Sequence, residues 1–546
     1  MEKNRERIGN GKSHSFQIPI IAICVMLLVT IASVSASEWP QFQKDDLNTG
    51  VLSEKVIGRS VNWSVMTHTN QWMAAGINVV PIVAKNVPDR GDVVFVLDHT
   101  GNVSGYNVTT GDPIWNPQFT MCNAAEGSFE LSTPAYHDGI LYVATSKGNL
   151  SVGEGRVTAI YARNGTIREY ASVGSGGYQL NTPVTYSDGK VYVGDWKGTS
   201  SSTTGYGTYY CLNANDVSDT IWSRTAPYLT GYNWAGCAIA GNYILYGDEN
   251  ANVTCLNKDD GAFISYFNVS EEFGITPAEE IRSSIMYNDD TGRIYFTAKK
   301  STSTHAGYGD GHLYAVEFDE TDGTFNDTGN SWVYDLWHSV STPVYHDGRI
   351  YVGGGQRMYT GSCPDGKVCC LDAADGSLIW EWNNTIDPQV DCLRVKSSPA
   401  IAAHGNNLYI YVTSNNPDGR LYCLNENGTM LWYYEPSESS DSGEYISQAA
   451  SIYNNTAGEM RVFFGNDAGK LYALGEGMCG DVNSDASVDI YDVTKVTKRA
   501  SDPNYYLKSP WAADVNGDGE VDIYDVTKVA KRASDPNYDL NCKCDE

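Results

Sequence analysis

The chain predicts a mainly β fold, an eight-bladed β-propeller of four-stranded antiparallel blades, followed by a small α-helical module. Three observations carry this. First, the stretch GRLYCLNENGTMLW (419–432) places Leu421 and Cys423 alternately on a strand, turns at Asn427-Gly428 and ends a second strand at Trp432. Its small-residue position recurs as Gly105, Ala159, Cys211, Cys255, Ala315, Cys370, Cys423 and Ala473, at intervals from 44 residues (Cys211 to Cys255) to 60 (Cys255 to Ala315). A period near 50 built of short strands, without a long stretch of 3.6-residue periodicity, marks a radial array rather than a helical solenoid. Second, each unit opens with another hairpin, as in STPAYHDGILYVA (132–144), NTPVTYSDGKVYVG (181–194) and STPVYHDGRIYVG (341–353), where Asp-Gly supplies the positive φ of a tight turn. Two hairpins make one four-stranded blade. Third, the composition changes after Gly475, where two acidic loops in near-identical copies replace the strands.

Taken in order, residues 1–36 read as a secretory signal. Lys3, Arg5, Arg7 and Lys12 precede an apolar run from Ile18 to Val34, and Val34-Ser35-Ala36 offers a small-residue cleavage site after Ala36. The alternative is a retained membrane anchor, for which a run of about 17 residues is at the lower limit. With 37 Lys+Arg against 66 Asp+Glu and a net charge of -29, the chain is a poor partner for nucleic acid or anionic lipid. Sequons from Asn62 to Asn454 fit a glycosylated surface in a secreted or cell-surface protein.

Residues 37–475 form the propeller. The last repeat, Ala450 to Leu474, lacks a Trp-bearing strand, whereas VNWSV (61–65) is such a strand with no blade before it. Joining the two completes the eighth blade and removes an exposed sheet edge. The WPQFxxDxxxTG opening at 39–50 and repeats such as LDAADGSLIW (371–380) resemble the pyrroloquinoline-quinone-like (PQQ-like) propeller repeat family. That resemblance implies that Trp63, Trp115, Trp222, Trp332, Trp380 and Trp432 pack between neighbouring blades, with Arg168 and Ser265 standing where blades 2 and 4 lack a Trp. The family holds quinoprotein dehydrogenases, outer-membrane assembly factors and surface proteins that bind no cofactor, so the fold does not settle the function.

Cys369-Cys370 resembles the vicinal disulfide of the quinoprotein alcohol dehydrogenases, yet Cys370 also holds the repeat's small-residue position, where a buried thiol acts as a small hydrophobe. No set of Glu, Asn and Asp matches that family's calcium and catalytic positions. PQQ is therefore not expected. His137 and His346 belong to Tyr-His-Asp-Gly turns, and the histidines show neither metal-ligand spacing nor a paired nucleophile. No catalytic residue is assigned.

Residues 476–546 begin at a Gly475-Glu476-Gly477 hinge and hold GDVNSDASVDIYDVTKVTKRASDPNY and, 33 residues on, ADVNGDGEVDIYDVTKVAKRASDPNY. A twelve-residue calcium loop needs hard oxygen donors at positions 1, 3, 5 and 12, a carbonyl at 7 and often a water-linked group at 9. The first loop supplies Asp481, Asn483, Asp485, Ser487, Asp489 and Asp492; the second supplies Asp514, Asn516, Asp518, Glu520, Asp522 and Asp525. Asp replaces the usual Glu at position 12. Ala486 replaces the Gly of the sharp turn in the first loop, which predicts weaker calcium binding there. One helix is expected after each loop, over 493–500 and 526–533. Two EF-hand-like loops each followed by a single helix resemble the dockerin type I domain. The resemblance implies two calcium ions and capture by a cohesin module, with positions 10 and 11, Ile490, Tyr491, Ile523 and Tyr524, carrying partner choice in either of two orientations. Since the ends of such a domain lie together, it also implies a clasp from Cys479 to Cys542 or Cys544, among thirteen cysteines in all.

The sequence thus points to an exported, non-catalytic propeller that binds or supports, with a carbohydrate or a protein as its own ligand, tethered through a dockerin. Two rivals stand: a polysaccharide-degrading (O-glycosyl hydrolase) component of a cellulosome-like assembly, and a PQQ-dependent dehydrogenase.

Overall fold

The computed structural model describes residues 38–542 apart from 68–75, 123–131, 148–153, 200–201, 277, 301–310, 327–328, 356–365, 384–394, 416–418, 437–445, 447, 486, 504, 506 and 508. The proposed signal segment, Ala486 and Cys544 lie outside the described residues. No helix among the described residues is long and apolar enough to cross a membrane.

Eight blades of antiparallel strands follow one another along the chain, with a separate two-stranded ribbon, Gly198–Thr199 and Ser202–Thr203, among the described residues. Blades 1 to 4 span Ile82–Met121, Ala135–Ser175, Thr185–Thr225 and Ala238–Asn268, and blades 5 to 7 span Glu279–Asp335, Val344–Asn383 and Ala400–Tyr434. Blade 8 is composite: Ser60–Met66 pairs antiparallel with Lys470–Gly475, Trp63 opposite Ala473. The ring closes as the orphan strand predicts. Blade 5 has its first and last strands each broken in two, and blade 7 gains a short parallel strand, Val51–Leu52, beside Ile401–Ala402.

The repeated small residue lies opposite the repeated Trp: Cys211 faces Trp222, Ala315 faces Trp332, Cys370 faces Trp380 and Cys423 faces Trp432. A small cross-strand neighbour leaves room for the large ring to lie across that face of the blade. Trp63, Trp115, Trp222, Trp332 and Trp380 then reach into the next blade. The indole Nε1 of Trp63 donates to the Val108 carbonyl at 2.9 Å, Trp115 to Ala162 at 2.8 Å, Trp222 to Lys258 at 3.0 Å, Trp332 to Ala373 at 3.1 Å and Trp380 to Glu426 at 2.9 Å. The ring lies on the turn glycine of that next blade. A Cβ on Gly376 would stand 2.5 Å from the Trp332 ring, so this glycine answers both a φ of +73° and a packing demand. Where the Trp is missing, other donors reach the next blade's turn: Arg168 Nη2 donates to the matching carbonyl, Ala214 O, at 2.7 Å, and Ser265 Oγ to the carbonyl of the turn glycine itself, Gly323 O, at 2.5 Å.

A second set of seam bonds runs near the axis and explains the Ser/Thr pairs that open the hairpins. The Gly236 amide donates to Ser284 Oγ (3.1 Å), Ser284 to Thr342 Oγ1 (3.0 Å) and Thr342 to Ser398 Oγ (2.9 Å), each hydroxyl belonging to the following blade. These hydroxyls satisfy buried amides that no ladder can reach.

The segment 38–50 is a strap across the first strands of the blades. Trp39 is fully buried and exchanges backbone hydrogen bonds with Val83; the carbonyls of Pro40, Asp46, Leu47 and Gly50 accept from Tyr136, Ile239, Tyr287 and Ile401. Gln41 Oε1 accepts from the Tyr186 amide, and Asn48 Nδ2 donates to Cys237 and Ile285 carbonyls. Gln43, Lys44 and Asn48 take positive φ to keep the segment threaded. Blades 1, 2, 3, 4, 5 and 7 are tied by these 13 residues.

Two helices, Ile490–Ser501 and Ile523–Ser534, begin three residues earlier than the pattern suggests, because Asp489 and Asp522 each cap the helix in a capping box with Asp492 and Asp525. Their core is small: Val482, Val496, Leu507, Ala512, Ala513, Val515, Val529 and Leu540. Cys479 is bonded to Cys542, one of the two pairings expected. Trp511 packs against both this core and the main propeller core. The Arg59 guanidinium lies 3.6 Å over its ring, and its Nε1 donates to the Arg59 carbonyl.

Candidate calcium loops and partner surface

In the first loop Asp481, Asp485 and Asp492 bring carboxylate oxygens within 4.8 Å of one another. Asp492 is fully buried. Its Oδ1 accepts the amides of Val482 and Asn483 at 2.9 and 3.2 Å, and its Oδ2 accepts Asp489 N at 2.9 Å. Asp485 accepts the Ser487 amide and hydroxyl, and Asn483 Nδ2 donates to it. Burial pushes the Asp492 carboxyl above its usual range, and the charge of Asp481 adds to this. Like charges drawn together around a buried carboxylate are poised for a cation, and hard oxygens in this number suit calcium. A bound ion would neutralise that cluster and fix the loop.

The second loop repeats the frame. Asp525, also fully buried, accepts Val515 N at 2.8 Å and Asp522 N at 3.0 Å, and burial raises its carboxyl too. Asp514 differs from Asp481, its oxygens accepting the amides of Gly517, Asp518 and Gly519. Asn516 donates to Asp518, which accepts the Glu520 amide. Among the described residues the convergent carboxylate trio belongs to the first loop, the one without the turn glycine. There Ser484 takes φ +56° in place of Gly517 at +69°.

Asp489 accepts the Tyr491 amide and Asp522 the Tyr524 amide, each at 2.7 Å, so both Ile-Tyr pairs sit on the first helical turn. All four side chains are exposed: Ile490 by 66%, Tyr491 by 68%, Ile523 by 73% and Tyr524 by 50%.

A dockerin type I family model matches residues 479–533. The propeller matches a model described as outer membrane protein assembly factor BamB, over residues 61–266 and 218–483. The chain belongs to the PQQ-like β-propeller repeat family. No curated protein sequence matched it. Among solved structures, this PQQ-like propeller is similar to a europium-containing methanol dehydrogenase, with a TM-score of 0.59 and 12% identity over 80% of this chain and 98% of that one. It is also similar to the quinohemoprotein alcohol dehydrogenase from Comamonas testosteroni, at 0.58 and 13% over 81% of each chain. At such identities the likeness is one of fold. The C-terminal domain is a dockerin, which implies calcium, a cohesin partner and an extracellular place.

The propeller's thiols do not fit the quinoprotein arrangement. Cys369 and Cys370 are fully buried and belong to different core clusters, on opposite faces of their strand. Burial pushes both up to about 12, so neither is a reactive thiolate.

Sequence reasoning missed a partly buried ion network near the axis. Arg282 Nη2 lies 2.7 Å from Glu249 and 2.9 Å from Glu280, and Lys299 Nζ lies 2.6 Å from Glu280. Glu249 also accepts Trp196 Nε1, and Thr203 donates to it. Burial drives the neighbouring His338 down to about 3, helped by the charges of Lys299, Lys396 and Arg282. A cavity of about 180 Å³, lined by Asn181, Trp234, Arg282, Lys396 and Asp467, adjoins it. Only Arg282 and Lys396, charges placed just before Ser-Ser pairs, could have signalled it.

Proposed function

We propose that the protein is an exported, non-catalytic propeller module attached by its dockerin to a cohesin-bearing surface or secreted complex. The observation that carries the reading is the pair of exposed Ile-Tyr steps, Ile490-Tyr491 and Ile523-Tyr524, each held by a loop aspartate on the first turn of a helix. Asp481, Asn483, Asp485, Ser487, Asp489 and Asp492, and Asp514, Asn516, Asp518, Glu520, Asp522 and Asp525, hold calcium in this reading, and the ion fixes the direction in which the tyrosines point. A rigid aromatic with a polar tip is a strong anchor at an interface, and its truncation commonly removes about 2 kcal/mol or more.

Because the two copies have the same sequence at this turn, either can serve as the plug. Capture by cohesins of the same genome is the test. Tyr491→Ala and Tyr524→Ala should each cost little, and the double variant should lose capture, as should chelation of the wild type. Full capture by the double variant, or capture in chelator, overturns the reading.

A further inference from the structure

We propose that the groove between blades 3 and 4 binds a neutral glycan, a reading that names the ligand of the attached propeller and rests on it only to that extent. The groove encloses about 440 Å³, within the range of small-ligand sites. One wall is the end of blade 3 and the segment after it, with Arg224 and Tyr228; the other is the outer strand Phe263–Asn268 of blade 4.

Five rings line it, and three of them, Phe263, Tyr266 and Tyr228, are exposed. Phe263 is 48% exposed and Tyr266 59%, two rings on one outer strand, where blade 2 exposes Ile167 with Tyr170 and blade 6 Leu378 with Ile379. The bulge in the pairing between Cys255 and Leu256 shifts the register between Phe263 and Tyr266, and both rings line the groove. Tyr228 is fixed as well: its hydroxyl donates to Asp248 Oδ2 at 2.8 Å and accepts from Asn252 Nδ2 at 2.9 Å. A rigid ring presents a flat apolar face at small entropic cost.

Flat rings beside polar groups are complementary to a pyranose, whose C–H face is apolar and whose equatorial hydroxyls radiate at the edge. Arg224 donates, Glu271 accepts and the Thr254 hydroxyl does both, all on the groove. Neutral sugar is favoured over an acidic polymer because the chain carries a net charge of -29, which repels polyanions. Asn268 carries a sequon on the groove, and its side chain accepts the Glu271 amide at Oδ1 and donates from Nδ2 to Asn252 Oδ1, so a covalently attached glycan is kept as a separate outcome of the test.

The test titrates the full-length, calcium-loaded protein with hexasaccharides of β-glucan, xylan, mannan and galactan by calorimetry, and reads cohesin capture on the same samples. At least one series should bind saturably. Phe263→Ala with Tyr266→Ala should weaken it at least about tenfold, as loss of a stacked anchor does. Ile379→Ala on blade 6 should leave it unchanged. Absence of binding by every series at millimolar concentration, an unaffected double variant, or a glycan found covalently on Asn268 overturns the proposal. Loss of sugar binding with capture intact strikes the groove alone, and loss of capture with sugar binding intact strikes the attachment.

Discussion

Both the propeller and the dockerin are built by repetition, but their repeats do opposite work. In the propeller each copy exists to cover the next: a Trp ring lies on a neighbour's turn and a hydroxyl takes a neighbour's amide. In the dockerin the two copies meet over a core of eight buried residues, and what each copy repeats is a set of oxygens. A domain with so little apolar area is expected to draw its stability from its disulfide and from the metal that a dockerin implies. The difference teaches that the same sequence device, a duplicated segment, can build either a ring that covers its own faces or a pair of loops whose carboxylates call for a cation.

The strongest way to break the comparison is to remove what is not repeated in the ring. Deleting residues 38–66 takes away the strap, the fully buried Trp39 and the strand that completes blade 8. The loss of large buried aromatics alone costs about 3–5 kcal/mol each. The truncated protein should be aggregated or melt far below the wild type in calorimetry. A monomer with an unchanged melting temperature would show that the seams suffice without closure.

Calcium removal tests the other half. Chelation should abolish or lower the dockerin's transition while the propeller's stays in place, because an ion at about 1,000 times its Kd stabilises what it binds by about 4 kcal/mol and touches nothing else. Far-ultraviolet circular dichroism of the chelated protein should lose helix only. A propeller transition that moves with the dockerin's would mean that Arg59-Trp511 and the Ser60-Ser509-Ser484 hydroxyl chain couple them.

What was legible in the sequence follows the same division. The blades, their closure through Trp63 and the calcium loops could be read because each rests on a pattern written more than once. The strap could not, since its hydrogen bonds to six blades come from single residues such as Gln41 and Asn48 whose partners lie about 145 to 237 positions away. The Glu249-Arg282-Glu280-Lys299 network and the aromatic groove are likewise unrepeated, and each joins side chains from neighbouring blades. The helix starts were misjudged for a local reason: Asp at position 9 is both a loop residue and a helix cap.

The axial network gives a pH signature of its own. His338 titrates near 6.5 when unfolded and at about 3 when folded, so between these values the unfolded state binds more protons. Stability from this site is therefore full above pH 6.5 and is lost as pH falls towards 3, by up to a few kcal/mol. Lys299, Lys396 and Arg282 enlarge the effect and Glu280 opposes it. Glu249 and Asp467, raised by burial, act in the opposite sense, favouring the folded state as they protonate. His338→Gln should flatten the acid limb of the propeller's melting profile. An identical slope in the variant would place the acid sensitivity elsewhere.

The smallest expected effect sharpens the account of the seams. At the seam between blades 6 and 7, Trp380 contributes both a ring and a 2.9 Å hydrogen bond to Glu426 O; between blades 4 and 5, Ser265 contributes a bond to Gly323 O and no ring. Trp380→Phe removes the bond and keeps most of the ring, while Ser265→Ala removes the bond alone. If one hydrogen bond into the next blade's turn is what aligns neighbouring blades, the two variants should cost about the same, about 1 kcal/mol each, the usual net value of one hydrogen bond. Trp380→Ala should cost about 3–5 kcal/mol, since it also opens a cavity against Gly428. Equilibrium denaturation of the three variants measures this directly. If Trp380→Phe is silent while Ser265→Ala is not, the tryptophans hold their seams by packing alone, and the substitute donors in blades 2 and 4 compensate for missing rings rather than reproduce a common bond.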